Sequence, residues 1–105
     1  MNQKSVGEKT EGKVVTFEDK EYTCSSGAEV FNDLANNIAI GEESHAEGSM
    51  TKAIGGWSHA EGSGTVSKGN GSHAEGGSTE ANGAWSHAEG NKTIANGSYS
   101  HAEGF

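Results

Sequence analysis

The sequence is poor in the residues from which a conventional hydrophobic core is built. Hydrophobic residues make up only 30% of its 105 positions, proline is absent, and glycine occurs 17 times. A two-layer globular core needs a larger apolar fraction, and low hydrophobicity combined with a net charge of −8 ordinarily indicates disorder. Regular repetition predicts an ordered fold instead, because stacked repeats spread a thin core over many similar layers.

Other absences exclude whole classes of partner. Only seven lysines and arginines are present and they form no basic stripe, so we expect no nucleic-acid partner. No apolar run approaches the ~20 residues of a membrane span, which predicts no membrane insertion. Residues 1–13 lack the apolar segment of a signal peptide, so none is expected in this chain. Cys24 is the single cysteine, which excludes an intrachain disulfide and favours an incidental thiol.

A strict repeat occupies the chain from residue 35 onward. The sequence Ser-His-Ala-Glu-Gly occurs five times with a constant spacing of 14, beginning at Ser44, Ser58, Ser72, Ser86 and Ser100. A finer period of seven lies beneath it: glycine recurs from Gly41 to Gly104, with alanine or serine two residues before it and serine, threonine or asparagine four before. Each 14-residue unit therefore consists of two half-repeats.

The half-repeats have the period of strands. A coiled coil, the usual meaning of a period of seven, needs Leu, Ile or Val at its core positions, and ten helical glycines would cost about 1 kcal/mol each relative to alanine. Regularity at i, i+2 and i+4 indicates strands instead.

The prediction is an all-β solenoid of five 14-residue coils with two short strands per coil. Ser44, Ala46 and Gly48 face inward in a narrow roll, and His45 and Glu47 face outward. Serine and threonine hydroxyls bond the backbone at the turns, and glycines supply positive φ where the chain reverses.

The first part of the chain, residues 1–34, is predicted to be a leader and a cap, and residues 35–105 the roll. Residues 14–22 indicate one or two short strands, residues 25–27 a turn, and residues 27–34 either a short helical turn or a capping strand. A solenoid needs a cap because its first coil exposes unpaired strand edges. The predicted plug consists of Val30, Phe31 and Leu34.

A roll with so small a core predicts self-assembly. The His and Glu columns are identical in all five coils, as packing against neighbouring subunits would require, and histidine donors could then pair with glutamate acceptors between chains. A solvated polar face is the alternative. The predicted subunit-interface residues are His45, Glu47, His59, Glu61, His73, Glu75, His87, Glu89, His101, Glu103, Trp57, Trp85 and Tyr99.

No cofactor is predicted. An alternative use of the histidines is a zinc or nickel site made by symmetry-related copies; its ligands would be His45, His59, His73, His87 and His101.

The repeat resembles the head repeats of trimeric autotransporter adhesins of the YadA-like type, which are 14 residues long and carry Ser-x-Ala-x-Gly half-motifs. Residues 37–41 (Asn-Ile-Ala-Ile-Gly) are close to that family's Asn-Ser-Val-Ala-Ile-Gly phrase, and Ser-His-Ala-Glu-Gly is similar to versions in tail-fibre and spike proteins of phages and prophages. The resemblance covers residues 35–104 and implies a left-handed parallel β-roll and a homotrimer. The family usually has Val and Ile where this chain has His and Glu. The adhesin's coiled-coil stalk and membrane anchor are also missing, which indicates a fragment of a longer fibre.

The functional expectation is a structural module and not an enzyme, because no residue constellation is singular. The resemblance implies a phage tail fibre or spike, located on a virion tail or a bacterial surface, with a cell-surface glycan or protein as receptor. The alternatives are a bacterial adhesin head and an ice- or surface-binding solenoid. The last would use the threonine rank at positions 51, 65, 79 and 93, although the alternation turns that rank inward. Because histidine titrates near pH 6.5, acid sensitivity is expected, with its sign open.

Overall fold

The computed structural model describes residues 7–9, 11–31 and 36–104, and within these ranges the chain is all-β. No helix capable of crossing a membrane occurs among the described residues. The strands are β1 Gly7–Lys9, β2 Val14–Phe17, β3 Lys20–Thr23, β4 Glu29–Phe31, β5 Ile38–Ala39, β6 His45–Ser49, β7 Lys52–Ala53, β8 His59–Ser63, β9 Val66–Ser67, β10 His73–Ala74, β11 Glu80–Ala81, β12 His87–Ala88, β13 Ile94–Ala95 and β14 His101–Ala102.

From β4 onward the chain alternates between two parallel sheets. β1 and the even-numbered strands from β4 to β14 form a seven-stranded sheet of order β1-β4-β6-β8-β10-β12-β14. The odd-numbered strands from β5 to β13 form a five-stranded sheet of order β13-β11-β9-β7-β5. Because the chain returns to the same sheet after each crossing, it winds as a β-solenoid of about five turns. The predicted all-β solenoid is therefore confirmed.

Neighbouring turns of the solenoid pair in parallel and in register. His45 lies opposite His59, and Lys52 lies opposite Val66. The His45 amide donates to the Ser58 carbonyl at 3.0 Å, and the Lys52 amide donates to the carbonyl of the residue before Val66 at 2.9 Å. Because the repeats pair in register, equivalent positions form columns along the axis, and in the seven-stranded sheet the histidine and alanine columns consist of identical side chains.

Most of the buried side chains in the described repeats are small, with Ile40 and Asn37 of the first repeat as larger exceptions. The inward alanines of both sheets are at most 3% exposed; they are Ala39, Ala46, Ala53, Ala60, Ala74, Ala81, Ala88 and Ala95. Ser67 replaces alanine at one level, and its hydroxyl lies 2.6 Å from that of Ser72, which in turn bonds the Gly69 carbonyl. This polar level divides the alanine core into two clusters. The predicted inward direction is correct for Ser44 and Ala46 and wrong for Gly48, which is exposed and lines an open groove.

The two glycine columns need glycine for different reasons. In the column from Gly48 to Gly104, φ is between 107° and 112°, as predicted for a chain reversal. In the column that begins at Gly41 φ is not positive, so there the prediction is wrong. What excludes a side chain from that column is stacking: a Cβ on Gly55 would lie 2.3 Å from the Gly69 carbonyl oxygen.

The turns between sheets use left-handed residues that are mostly not glycine. On one edge φ is 57° at Trp57, 60° at Trp85 and 63° at Tyr99. Each of these turns hydrogen-bonds to the turn before it; for example, the Trp57 amide donates to the Glu42 carbonyl at 2.7 Å. Such conformations persist where the surroundings over-determine them, and here the stacked turns hold them.

The N-terminal segment caps the first turn. β4 pairs in parallel with β6, which places Val30 opposite Ala46, and β1 adds antiparallel to β4. The β2–β3 hairpin forms a separate two-stranded sheet, in agreement with the two short strands expected there. The segment after the turn is a strand rather than a helical turn, and Val30 is 1% exposed; its role as a plug stays a prediction. Phe31 ends β4, and Leu34 lies outside the described residues.

Candidate functional site

The histidines of the repeat form one continuous stack on the outer face of the seven-stranded sheet. Ring centroids of consecutive histidines lie 4.7 to 4.9 Å apart, which is the spacing of the strands that carry them. Three of the four ring pairs are nearly parallel, with interplanar angles of 4° to 19°. The pair His45–His59 is edge-on, at 61°.

A glutamate lies beside every histidine of the stack. The Nε2 atom of each ring is 2.7 to 3.3 Å from a carboxylate oxygen of the glutamate two residues later on the same strand. Contacts also cross between turns, since His73 Nε2 lies 3.5 Å from Glu61 Oε2. The structure therefore pairs histidine with glutamate within the chain; the expected pairing between chains stays a prediction.

The glutamates line an open groove that runs along the axis. Its other lining residues are the glycines that follow them, from Gly48 to Gly104. Because those glycines carry no side chain, nothing fills the space beside the carboxylates. The result is a strip of aligned carboxylates with a strip of imidazoles next to it.

The surroundings shift the pKa of one glutamate and of one histidine in the columns. The hydrogen bond from His45 lowers the pKa of Glu47, and desolvation opposes that effect. Burial lowers the pKa of His59, and repulsion by His73 and His45 lowers it further, while Glu47 and Glu75 act in the opposite direction. Both effects leave a carboxylate and a neutral imidazole side by side at neutral pH.

One member of this site was not apparent from the sequence. Glu29 occupies the position opposite His45 in the neighbouring strand, and its Oε1 lies 3.6 Å from His45 Nδ1. It lies 16 residues before His45 and therefore outside the period of 14. The alternation of buried Ala28 and Val30 around it was the available signal that Glu29 points outward.

The aromatic side chains predicted at the interface lie along one turn edge. Trp57 is 59% exposed, Trp85 55% and Tyr99 78%. The indole of Trp85 covers Gly71, the residue one level below it in the same column, where a Cβ would lie 2.3 Å from the indole ring. Met50, at 53%, is exposed on the opposite turn edge. The edge that carries Trp57, Trp85 and Tyr99 is called the aromatic edge below.

Comparison of the chain with protein-family models, with curated proteins and with solved structures finds no match. The function must therefore be argued from the chain's own geometry.

The threonine rank does not form a surface. Thr51, Thr65 and Thr79 are fully buried and Thr93 is 9% exposed. The hydroxyls of Thr79 and Thr93 donate to backbone carbonyls four residues earlier, at 3.1 and 2.9 Å. This rank stabilises the turns from inside, as expected for inward-facing hydroxyls, and it presents nothing to an ice or mineral surface.

Proposed function

We propose that this chain is a structural module of a homotrimeric fibre, in which the solenoid acts as a rigid spacer of a phage tail fibre or spike. In this proposal the fold is a left-handed roll of 14-residue coils related to YadA-like head repeats. The supporting features are the repeat itself, its columns of small inward residues and the parallel ladder that joins every turn to the next.

The observation that carries the proposal is the distribution of apolar side chains. Among the described residues of the repeats, Ile40 is the one large apolar side chain that is buried, whereas Trp57, Trp85, Tyr99 and Ile94 are more than half exposed. An aromatic side chain buries 150 to 250 Å² when fully covered. At about 25 cal/mol per Å², covering the exposed part of each ring would contribute about 2 to 5 kcal/mol. Packing between copies supplies that cover without any change to the solenoid.

The aromatic edge is the best-supported contact between copies. Its exposed rings occupy three of four consecutive levels of one column, with Gly71 at the fourth, so a neighbouring copy aligned along the same axis meets them all at once. A closed ring of three copies would use the same edge in each copy. The prediction that the His/Glu face packs on neighbouring subunits stays open: every histidine has a glutamate nearby in its own chain, but His59 Nε2 and His73 Nε2 make no hydrogen bond to it.

Light scattering coupled to size-exclusion chromatography tests the assembly. The mass should be three times the 10.8 kDa of one chain. Replacing all three rings of the aromatic edge with alanine should yield monomers, whereas Met50→Ala, on the opposite edge, should leave the trimer intact. A wild-type chain that is a well-folded monomer at micromolar concentration would refute the proposal.

The same variants separate packing from recognition. A bacterial adhesin head that binds host ligands would also expose aromatic rings, since such rings stack on sugars and on protein surfaces. If the triple alanine variant stays trimeric but loses binding to whole cells, the aromatic edge is a receptor surface and not a subunit interface.

A further inference from the structure

The His and Glu columns of a single chain bring metal-ligand atoms together at every step between turns. Four groups have this arrangement, each made of two histidines on neighbouring strands and one glutamate, with one donor atom from each residue within 4.8 Å of the others. The groups are His45-Glu47-His59, His59-Glu61-His73, His73-Glu75-His87 and His87-Glu89-His101. Unlike the site considered from the sequence, none of them needs a second copy of the chain.

The donor set is that of a transition-metal site. Two imidazole nitrogens and one carboxylate oxygen are the protein ligands of many zinc and iron sites that leave the remaining positions to solvent. A hard cation such as calcium prefers six to eight oxygen ligands and would leave the imidazoles unused. The arrangement therefore favours a divalent first-row transition ion, for which zinc is the convenient probe.

The distances permit coordination with side-chain rotation alone. In a tetrahedral zinc site, bonds of about 2.0 to 2.2 Å place ligand atoms roughly 3.4 Å apart. The donors of each group lie within 4.8 Å, so closing the site moves them together by about 1.4 Å at most. The histidines concerned are 24% to 54% exposed, each already has the glutamate of its own strand within 3.3 Å, and His45 stands edge-on to His59.

The surroundings of the columns attract cations. The chain carries a net charge of −8, and the five carboxylates of the repeat line one continuous groove. Aligned charges of one sign raise the local concentration of counter-ions. Within the described part of the chain, Lys52 belongs to the opposite sheet and Lys68 directly follows a strand of that sheet.

We propose that the His/Glu face binds divalent transition-metal ions, each ion held by two histidines of neighbouring turns and the glutamate between them. Interior histidines belong to two groups each, so neighbouring groups compete for them. Five histidines used in pairs accommodate two ions per chain at most. Each bound ion joins two turns of the solenoid and stiffens it along its axis.

Because neighbouring groups share histidines, the number of zinc ions bound should depend on which histidines are replaced and not only on how many. The double variant His45→Gln/His101→Gln leaves three neighbouring histidines and should bind one zinc ion per chain. The double variant His59→Gln/His87→Gln removes the same number of histidines but leaves no two neighbours, so it should bind none with comparable affinity. The single variant His73→Gln leaves two separate pairs and should still bind two.

The measurement is calorimetric titration of the chelator-treated full chain with zinc chloride at neutral pH, with calcium chloride as a parallel titration and circular dichroism to verify that each variant is folded. Since loss of even an outer-shell partner weakens metal binding 10- to 100-fold, the variant without neighbouring pairs should bind at least about tenfold more weakly. Equal stoichiometry in the two double variants would overturn the inference. So would calcium binding as tight as zinc binding, or the absence of zinc binding to the wild-type chain.

Discussion

Two adjacent glycines should respond in opposite ways to the same substitution. At Gly76 φ is 107°, and a Cβ would lie 2.1 Å from the carbonyl oxygen of Gly90 in the next turn. At Gly77 φ is not positive, and the nearest atom to a Cβ is the Asn91 side-chain oxygen at 3.9 Å. We expect Gly76→Ala to be strongly destabilising and Gly77→Ala to be neutral or stabilising.

The magnitudes follow from the contacts. A non-glycine residue at the φ of Gly76 costs about 1 to 3 kcal/mol. The Gly90 oxygen that the new methyl would strike also accepts a hydrogen bond from the Gly77 amide at 2.9 Å, and displacing it loses about 0.5 to 1.5 kcal/mol. Gly76→Ala should therefore cost about 3 kcal/mol in total. Gly77→Ala should gain about 0.5 kcal/mol, because alanine has less conformational freedom in the unfolded chain.

Urea unfolding followed by circular dichroism measures both values. With an m value of about 1.5 kcal/mol per molar, the Gly76→Ala midpoint should fall by about 2 M and the Gly77→Ala midpoint should rise slightly. All samples must share one protein concentration, because assembly would otherwise shift the apparent stability. If Gly76→Ala lies within 1 kcal/mol of wild type, or if the two variants are alike, the close stacking of the glycine column is not what holds the turns in place.

Three further outcomes follow from single contacts. Thr79→Val should cost about 1 kcal/mol in urea unfolding because it removes the hydrogen bond to the Glu75 carbonyl, whereas Thr65→Val should cost little because the Thr65 hydroxyl is buried without a partner. Ala60→Leu should cost about 1 to 3 kcal/mol by overpacking a fully buried position; an unchanged midpoint would argue for a loose core. In chelated buffer, stability should fall as the pH is lowered below about 6.5, since the lowered pKa of His59 means that the native state binds fewer protons than the unfolded chain. A melting temperature that is constant from pH 7.5 to 5.5 would contradict this.

The direction of side chains could be predicted from the sequence because strand alternation depends only on the backbone. Ser44 and Ala46 are buried and His45 is half-buried, as the period of two requires. A strand was one of the two alternatives that the sequence left open for residues 27–34, and the role of Val30 as a plug stays a prediction. The sign of the pH response, left open by the sequence, depends on how far His59 is buried, which the pattern of residues does not determine.

Features that depend on side-chain torsions or on local backbone conformation could not be predicted from the alternation. The alternation shows that His45 and Glu47 share a face, but the contact between them depends on side-chain torsions. The column that begins at Gly41 has the same sequence pattern as the column that begins at Gly48, yet its backbone has a different φ. The left-handed conformation of Trp57 is likewise invisible in the sequence, since tryptophan has no preference for it.

The repeats themselves do not determine which turn pairs with which, because the His, Ala, Glu and Gly columns are the same at every level. If one 14-residue unit looped out, the remaining strands of the seven-stranded sheet could still pair His with His and Ala with Ala. The loss would be limited to the contacts of one layer, because each repeat contacts only its neighbours. β4 distinguishes the first turn from the others, because its Val30 is larger than the alanines of the columns and lies opposite Ala46. The polar level at Ser67 and Ser72 adds a second marker, because two hydroxyls 2.6 Å apart pair only at that level. The register of the solenoid is therefore determined by a few irregular residues, while the regular ones supply its stability.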